Sequence, residues 1–356
     1  MTPNFQNGRT LAAVLIAATT CLSTGAFARD EIRVVGSSTV YPFTTAVAEQ
    51  FGKAGVGKTP VVESTGTGGG FKLFCAGVGE ATPDISNASR PMKKAEYELC
   101  QANGVTEIVE IKIGLDGIVL AKAMSGPDMS LQQEEIFLAL ANEIHDENLK
   151  FIPNPNKNWV DIDPTLPETK IEILGPPPTS GTRDAFLELV MEKGAKGFGG
   201  LREMKDADEK DGTKNYEKIW KSIRQDGAFV EAGENDNLIV QKIEGQPNAI
   251  GIFGFSFLEE NKGKIKPVLI GGIEPTYENI ASGKYPASRA LFIYVKKAHI
   301  GVIPGMKEFL AEYVSTKAIG EDGYLVKKGL IAMPKEDAEK SAKTAAELTA
   351  MVAPEK

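Results

Sequence analysis

Histidine is scarce in this chain. His145 and His299 are the only two, and neither has cysteine or histidine neighbours at the spacing of a metal site. No resident metal and no cofactor is therefore expected, and a Ser-His-Asp hydrolase is disfavoured for the same reason. No Gly-x-Ser-x-Gly elbow is present, and no segment of the form Gly-x-x-x-x-Gly-Lys-Ser/Thr is expected, which leaves a nucleotide P-loop unsupported. An excess of basic charge is also lacking. There are 40 Lys and Arg against 48 Asp and Glu, for a net charge of −8. That balance argues against nucleic acid as a partner, because nucleic-acid binding asks for a basic face. A small buried anion is not excluded, since it responds to local donors and helix ends rather than to net charge.

Long apolar runs are missing too. The longest near the N-terminus, residues 11–18, falls short of the ~20 residues a membrane span needs. It follows the positive Arg9 and precedes small residues ending in Ala26-Phe27-Ala28, which is the layout of a secretory signal peptide. Residues 1–28 are expected to be removed, giving a periplasmic protein that begins near Arg29. A rival reading makes Cys21 a lipid-modified N-terminus. Taking 28 residues from 356 leaves 328, enough for two lobes of ordinary domain size. Only Cys75 and Cys100 then remain of the three cysteines. In an oxidising compartment such a pair reads either as a disulfide or as two buried thiols.

Short apolar strands alternate with amphipathic helices, the pattern of an α/β fold with mainly parallel sheets. Strands are expected at 32–35, 60–63, 105–113, 118–121, 170–174, 249–253, 266–270 and 291–296. Phe43, Val47 and Phe51 recur every four residues and should share one buried helix face. The Gly-, Lys- and Asp-rich stretch 194–212 reads as a solvent loop, and 335–356 as an exposed helix or frayed tail. No internal repeat is found.

Three strands are expected to end in a run of Gly, Ser and Thr that leads into a helix. They are Gly36-Ser37-Ser38-Thr39, Ser64-Thr65-Gly66-Thr67-Gly68-Gly69-Gly70 and Thr179-Ser180-Gly181-Thr182-Arg183. Each taken singly is explained by ordinary helix capping. Their recurrence points to an anion site, because free N–H groups at a helix start, close backbone approach at glycine and hydroxyl donors all serve an oxyanion.

In chain order the motifs are Gly36-Ser37-Ser38-Thr39-Val40, Ser64-Thr65-Gly66-Thr67-Gly68-Gly69-Gly70, Asp84-Ile85-Ser86-Asn87-Ala88-Ser89-Arg90-Pro91, Asp116-Gly117-Ile118-Val119, Ser180-Gly181-Thr182-Arg183-Asp184 and Pro247-Asn248-Ala249-Ile250-Gly251-Ile252. In that order the series resembles the periplasmic phosphate-binding proteins that serve ABC phosphate transporters, over most of the chain after residue 28. The resemblance implies a class II periplasmic binding-protein fold, two α/β lobes joined by two crossover strands. It implies lobe I at 29–113 plus 255–334 and lobe II at 114–254. It implies inorganic phosphate as ligand, an inner-membrane ABC permease as partner, a monomer and no catalysis. Ser38, Thr39 and Thr67 would donate from the first lobe, and Ser180, Gly181 and Thr182 from the second. Many family members carry an arginine shortly before the Ser-Gly-Thr motif, where this chain has Pro176-Pro177-Pro178. Others carry aspartate where Arg90 stands. The cation is therefore expected to be Arg90, with Arg183, and the proton-accepting carboxylate Asp116, with Asp84, Asp184 and Asp236 as alternatives. Competing functions are binding of sulfate, molybdate or tungstate, a secreted phosphatase or hydrolase, and a signalling or surface adhesion protein that has kept the fold and lost the ligand.

Overall fold

The computed structural model describes Met1 and residues 29–145, 150–178, 180–207, 211–233 and 236–355. The expected signal peptide, including Cys21, and Thr179 of the third motif lie outside the described residues.

The strands in chain order are β1 (Arg33–Gly36), β2 (Val61–Ser64), β3 (Ile85–Ala88), β4 (Ile108–Ala123), β5 (Ser130–Leu131), β6 (Glu143–His145), β7 (Phe151–Pro153), β8 (Ile173–Gly175), β9 (Phe229–Glu231), β10 (Ile250–Gly254), β11 (Ile265–Ile270) and β12 (Ser288–Lys296). One curled sheet runs β2-β1-β3-β12-β4-β10-β8-β9. The β2-β1-β3 group at one end and the β10-β8-β9 group at the other are each parallel internally, while β12 and β4 run antiparallel to their neighbours. Strand β4 joins the two halves. Its start, Ile108 to Gly117, pairs with β12, and its end, Ile118 to Ala123, pairs with β10 and β11. Two separate strands were expected here, at 105–113 and 118–121. Strand β11, counted from the sequence with the first lobe, is hydrogen-bonded to the end of β4 and so sits with the second half of the sheet.

Helix α1 (Tyr41–Lys53) follows β1, with a proline in its first turn where no N–H is needed. It buries Phe43, Val47 and Phe51, the face expected from their spacing. Helix α2 (Thr67–Phe74) follows β2, and α3 (Lys94–Ala102) follows β3. A Cys75–Cys100 disulfide ties the end of α2 to α3, and both half-cystines are fully buried beside Phe71, Phe74 and Tyr294. Residues 52–59 do spell Gly-x-x-x-x-Gly-Lys-Thr, contrary to expectation. They run from the end of a helix toward a strand, the reverse of a P-loop, and Lys58 is an exposed partner of Asp30 at 2.7 Å.

Among the described residues the stretch 194–212 is largely helical rather than a solvent loop. Helices occupy Glu192–Lys196, Gly199–Ala207 and Asp211–Lys221. A Cβ on Gly194 would lie 2.2 Å from the Gln133 carbonyl oxygen, so this glycine serves close packing against helix α4 (Gln133–Leu140) rather than a turn. The C-terminal helix, Lys335–Glu347, is docked rather than frayed. Ser341 and Ala345 are buried, Asp337 pairs with Lys112 at 2.7 Å, and Met351 N donates to Ile108 O at 2.8 Å.

Candidate functional site

The three Gly/Ser/Thr runs each leave a strand end and enter a helix, as their composition requires. In the first, Ser37 and Thr39 are buried and Ser38 is half-buried just before α1. In the second, Gly66 is the N-cap of α2 at a φ of 72°, a left-handed value that favours glycine. Thr67 Oγ1 accepts from Ser89 N at 3.2 Å and lies 3.0 Å from Ser89 Oγ. In the third, Ser180 caps helix α5 (Gly181–Phe186), its hydroxyl accepting from Thr182 N at 3.2 Å.

The first and third runs, more than 140 residues apart in sequence, touch. Thr39 Oγ1 donates to the Gly181 carbonyl at 3.4 Å, and the Ser38 hydroxyl donates to the Asp184 carboxylate. A Cβ added at Gly181 would come within 3.1 Å of Thr39 Cα and 3.2 Å of Ser38 O, so glycine permits the approach. Two cavities flank this contact. The larger, about 1000 Å³, is lined by Ser37, Ser38, Thr39, Gly66, Thr67 and Ser89 on one side and by Arg183, Asp184, Glu188, Trp220, Arg224 and Phe229 on the other. The smaller, about 530 Å³, is bordered by Thr39, Asp116, Ser180, Gly181, Thr182 and Asp236. Thr39 faces both.

Of the nine residues expected at the site, eight therefore border one or both cavities, and Arg90 borders neither. Its guanidinium is engaged by both oxygens of Glu96, at 2.7 and 2.8 Å, and lies 5.6 Å from the Phe71 ring centre. Burial disfavours its charge, but Glu96 more than offsets this and raises its pKa. Arg183 is buried, 7% exposed, and packs over the Phe229 ring at 4.5 Å. Nη1 donates to the Pro176 carbonyl at 3.1 Å, while Nε is buried with no partner. Burial lowers its pKa, against the pull of Glu231 and Asp184.

Asp116 is half-buried beside Arg289, whose Nε donates to Asp116 Oδ2 at 3.3 Å. Burial raises its pKa, and Arg289 opposes the rise. Asp84 is a structural carboxylate, holding Arg29 at 2.7 Å, Arg33 N at 2.7 Å and His299 Nδ1 at 2.6 Å. Gly79 N donates to His299 Nε2 at 3.0 Å, so that ring is the neutral tautomer with its proton on Nδ1.

Arg289 was not anticipated from the sequence. It stands at the start of β12, cross-strand from Asp116, and also reaches Thr39 Oγ1 at 3.0 Å and the Glu188 carboxylate. Its partners lie at 39, 116 and 188, so no local pattern announces it. Among the described residues no group of three or more His, Cys, Asp or Glu could hold a metal ion.

Two α/β halves sharing one continuous strand, with hydroxyl-rich helix starts meeting at a cleft between them, are the architecture of a solute-binding protein. Residues 23–317 match the PBP superfamily domain. Protein SphX of Synechococcus elongatus is 32% identical over 276 residues, covering 74% of this chain and 69% of that protein. Phosphate-binding protein PstS of Staphylococcus saprophyticus is 30% identical over 314 residues, covering 86% and 82%. A crystal structure described as a possible phosphate binding protein from Planctomyces limnophilus superposes with a TM-score of 0.71 at 30% identity, over 89% of this chain and 98% of that one. An ABC-type phosphate transport receptor from Vibrio cholerae shares the fold, with a TM-score of 0.56 at 19% identity, over 85% and 100%. The chain belongs to the PBP superfamily, in the family of solute-binding proteins that includes SphX and PstS.

Proposed function

We propose that this chain binds inorganic phosphate outside the cytoplasm and hands it to the permease of an ABC importer, without chemical change. The observation that carries the reading is the meeting of Ser38 and Thr39 with Gly181 and Asp184, two hydroxyl-bearing helix starts from opposite halves of the sheet. A buried dianion needs donors and compensating charge, because desolvation without partners costs several kcal/mol or more. Backbone N–H groups and hydroxyls of Ser38, Thr39, Thr67, Ser180, Gly181 and Thr182 supply the donors. Arg183, with its unpartnered Nε, supplies the charge. Arg90 is occupied by Glu96 and serves to hold the start of α3.

Phosphate near neutral pH carries a proton that fully ionised sulfate lacks, so a carboxylate in the cleft can accept from one and repels the other. Asp184 suits that role better than Asp116, because it borders the larger cavity and already accepts a hydroxyl there, whereas Asp116 is tied to Arg289. Catalysis is not part of the proposal: neither histidine, the side-chain type that most often activates a hydroxyl, borders either of the two cavities. Export follows from the signal-peptide pattern of residues 1–28, and the lobes are taken as 29–113 plus 255–334 and 114–254, with 265–270 reassigned to the second.

Calorimetric titration of ligand-stripped protein with phosphate and with sulfate tests the reading. Wild type should prefer phosphate, and Asp184→Asn should narrow that preference, because an amide can donate where the carboxylate only accepts. Absence of phosphate binding in the wild type refutes the function, and an unchanged preference in the variant refutes the role of Asp184.

A further inference from the structure

Arg289 uses all three guanidinium nitrogens, and its three partners belong to different parts of the fold. Nε donates to Asp116 on β4, Nη2 to Thr39 Oγ1 just before α1 at 3.0 Å, and Nη1 to Glu188 on the helical segment Leu187–Met191 that continues α5. The side chain is 9% exposed, and its backbone is held in the β4–β12 ladder opposite Asp116. One cation on β12 is thus bound to the strand that joins the two halves while touching the residues just before α1 and just after α5.

The contact with Thr39 has a chemical consequence. A hydroxyl has one proton and two acceptor lone pairs. A guanidinium can only donate, so it occupies a lone pair of Thr39 and leaves the threonine proton facing away. That proton meets the Gly181 carbonyl at 3.4 Å, a long and weak bond that an oxyanion in the cleft can displace. We infer that Arg289 is a positioning residue that fixes Thr39 as a hydrogen-bond donor to the bound anion and, through Glu188, draws the second half of the molecule toward it. This role rests on the phosphate reading above and adds to it a residue outside the three motifs.

A double-mutant cycle tests the coupling. Arg289→Gln keeps much of the length of the side chain and removes its charge and fork, and Thr39→Val removes the hydroxyl while keeping its shape. Each single change should weaken phosphate binding roughly ten- to hundredfold, the range for a hydrogen bond to a charged group. The double variant should be no weaker than the worse single one, because both remove the same oriented donor. Arg289→Lys should recover part of the loss. A purely structural Arg289 predicts instead that the two effects multiply, and that result, or unchanged affinity in Arg289→Gln, overturns the inference while leaving the phosphate reading standing. Thermal melts identify a variant that fails to fold. If Arg289→Gln does so, the cycle is run with Arg289→Lys, where coupling to Thr39→Val supports the role and its absence overturns it. Wild-type protein that binds no phosphate removes the function reading and this role with it.

Discussion

Gly181→Ala separates closure of the cleft from stability of the fold. Gly181 is the first residue of α5 and has no left-handed φ, so alanine fits the local backbone. Within the helix itself alanine is favoured over glycine by up to about 1 kcal/mol. The obstacle lies across the cleft, where the new methyl would meet Thr39 Cα at 3.1 Å and Ser38 O at 3.2 Å. Both are backbone atoms and cannot rotate away, so the two halves must separate by a few tenths of an ångström. That displacement lengthens the Thr39 and Ser38 contacts with Gly181 and Asp184 together. Overpacking of this kind costs about 1–3 kcal/mol. Here it falls on the closed form alone, which corresponds to phosphate binding weakened roughly five- to hundredfold. Calorimetry reads the affinity and a thermal melt of ligand-free protein reads the stability, which should equal or exceed wild type. Affinity within twofold of wild type would show that this close approach is absent from the ligand-bound state, and the two-sided site would fall with it.

Two further outcomes follow from buried groups away from the cleft. The Cys75–Cys100 bridge closes a loop with a sequence separation of 25. On the chain-entropy account its loss in Cys75→Ser/Cys100→Ser should cost roughly 3 kcal/mol in urea unfolding, and detection of two free thiols in the exported protein would remove the bridge. Lys296 is fully buried, donating to Gly77 O at 2.6 Å and Thr82 Oγ1 at 2.8 Å, and burial lowers its pKa to about 8 against the pull of Asp84. Between that value and the usual lysine pKa of 10.5 the unfolded chain binds the proton and the folded one does not. This group's contribution to stability therefore rises with pH across that window, by at most about 1.4 kcal/mol per pH unit. Urea titrations of wild type and Lys296→Met at pH 7.5 and 9.5 should show the wild type gaining relative to the variant, and a constant difference refutes the assignment.

The fold was legible where one local signal did one job. Phe43, Val47 and Phe51 mark a helix face because nothing else competes with their period, and the three Gly/Ser/Thr runs mark helix starts because those residue types cap. It was illegible where glycine served packing between elements distant in sequence. Gly114 and Gly117 interrupt the apolar pattern of β4 and suggest two strands. In the structure a Cβ at Gly114 would lie 2.4 Å from Leu330 Cδ1, and one strand continues through, with a shift of register against β12 beside this glycine. Gly194 and Gly197 suggested a loop for the same reason, and they admit Gln133 and Glu134 instead. Both errors come from reading glycine as a turn signal when its lack of a side chain was the property in use.

Charge at the site was illegible for a related reason, since a sequence shows which residues are cationic but not which are already neutralised. Arg90, adjoining a motif, is paired with Glu96, and Arg224 in the cleft wall is paired with Asp226 at 2.5 Å. Lys221 is paired with Glu217, and Arg289 is shared between Asp116 and Glu188. Among the described residues bordering the larger cavity, Arg183 is the cation with no carboxylate at salt-bridge distance, and burial makes its charge costly. An anion entering beside it relieves that cost, so ligand charge and protein desolvation offset each other within the cleft. On the proposed site a chain of net charge −8 can attract a dianion without a basic surface, because the compensation would be one buried guanidinium and a set of aligned dipoles rather than a field spread over the molecule.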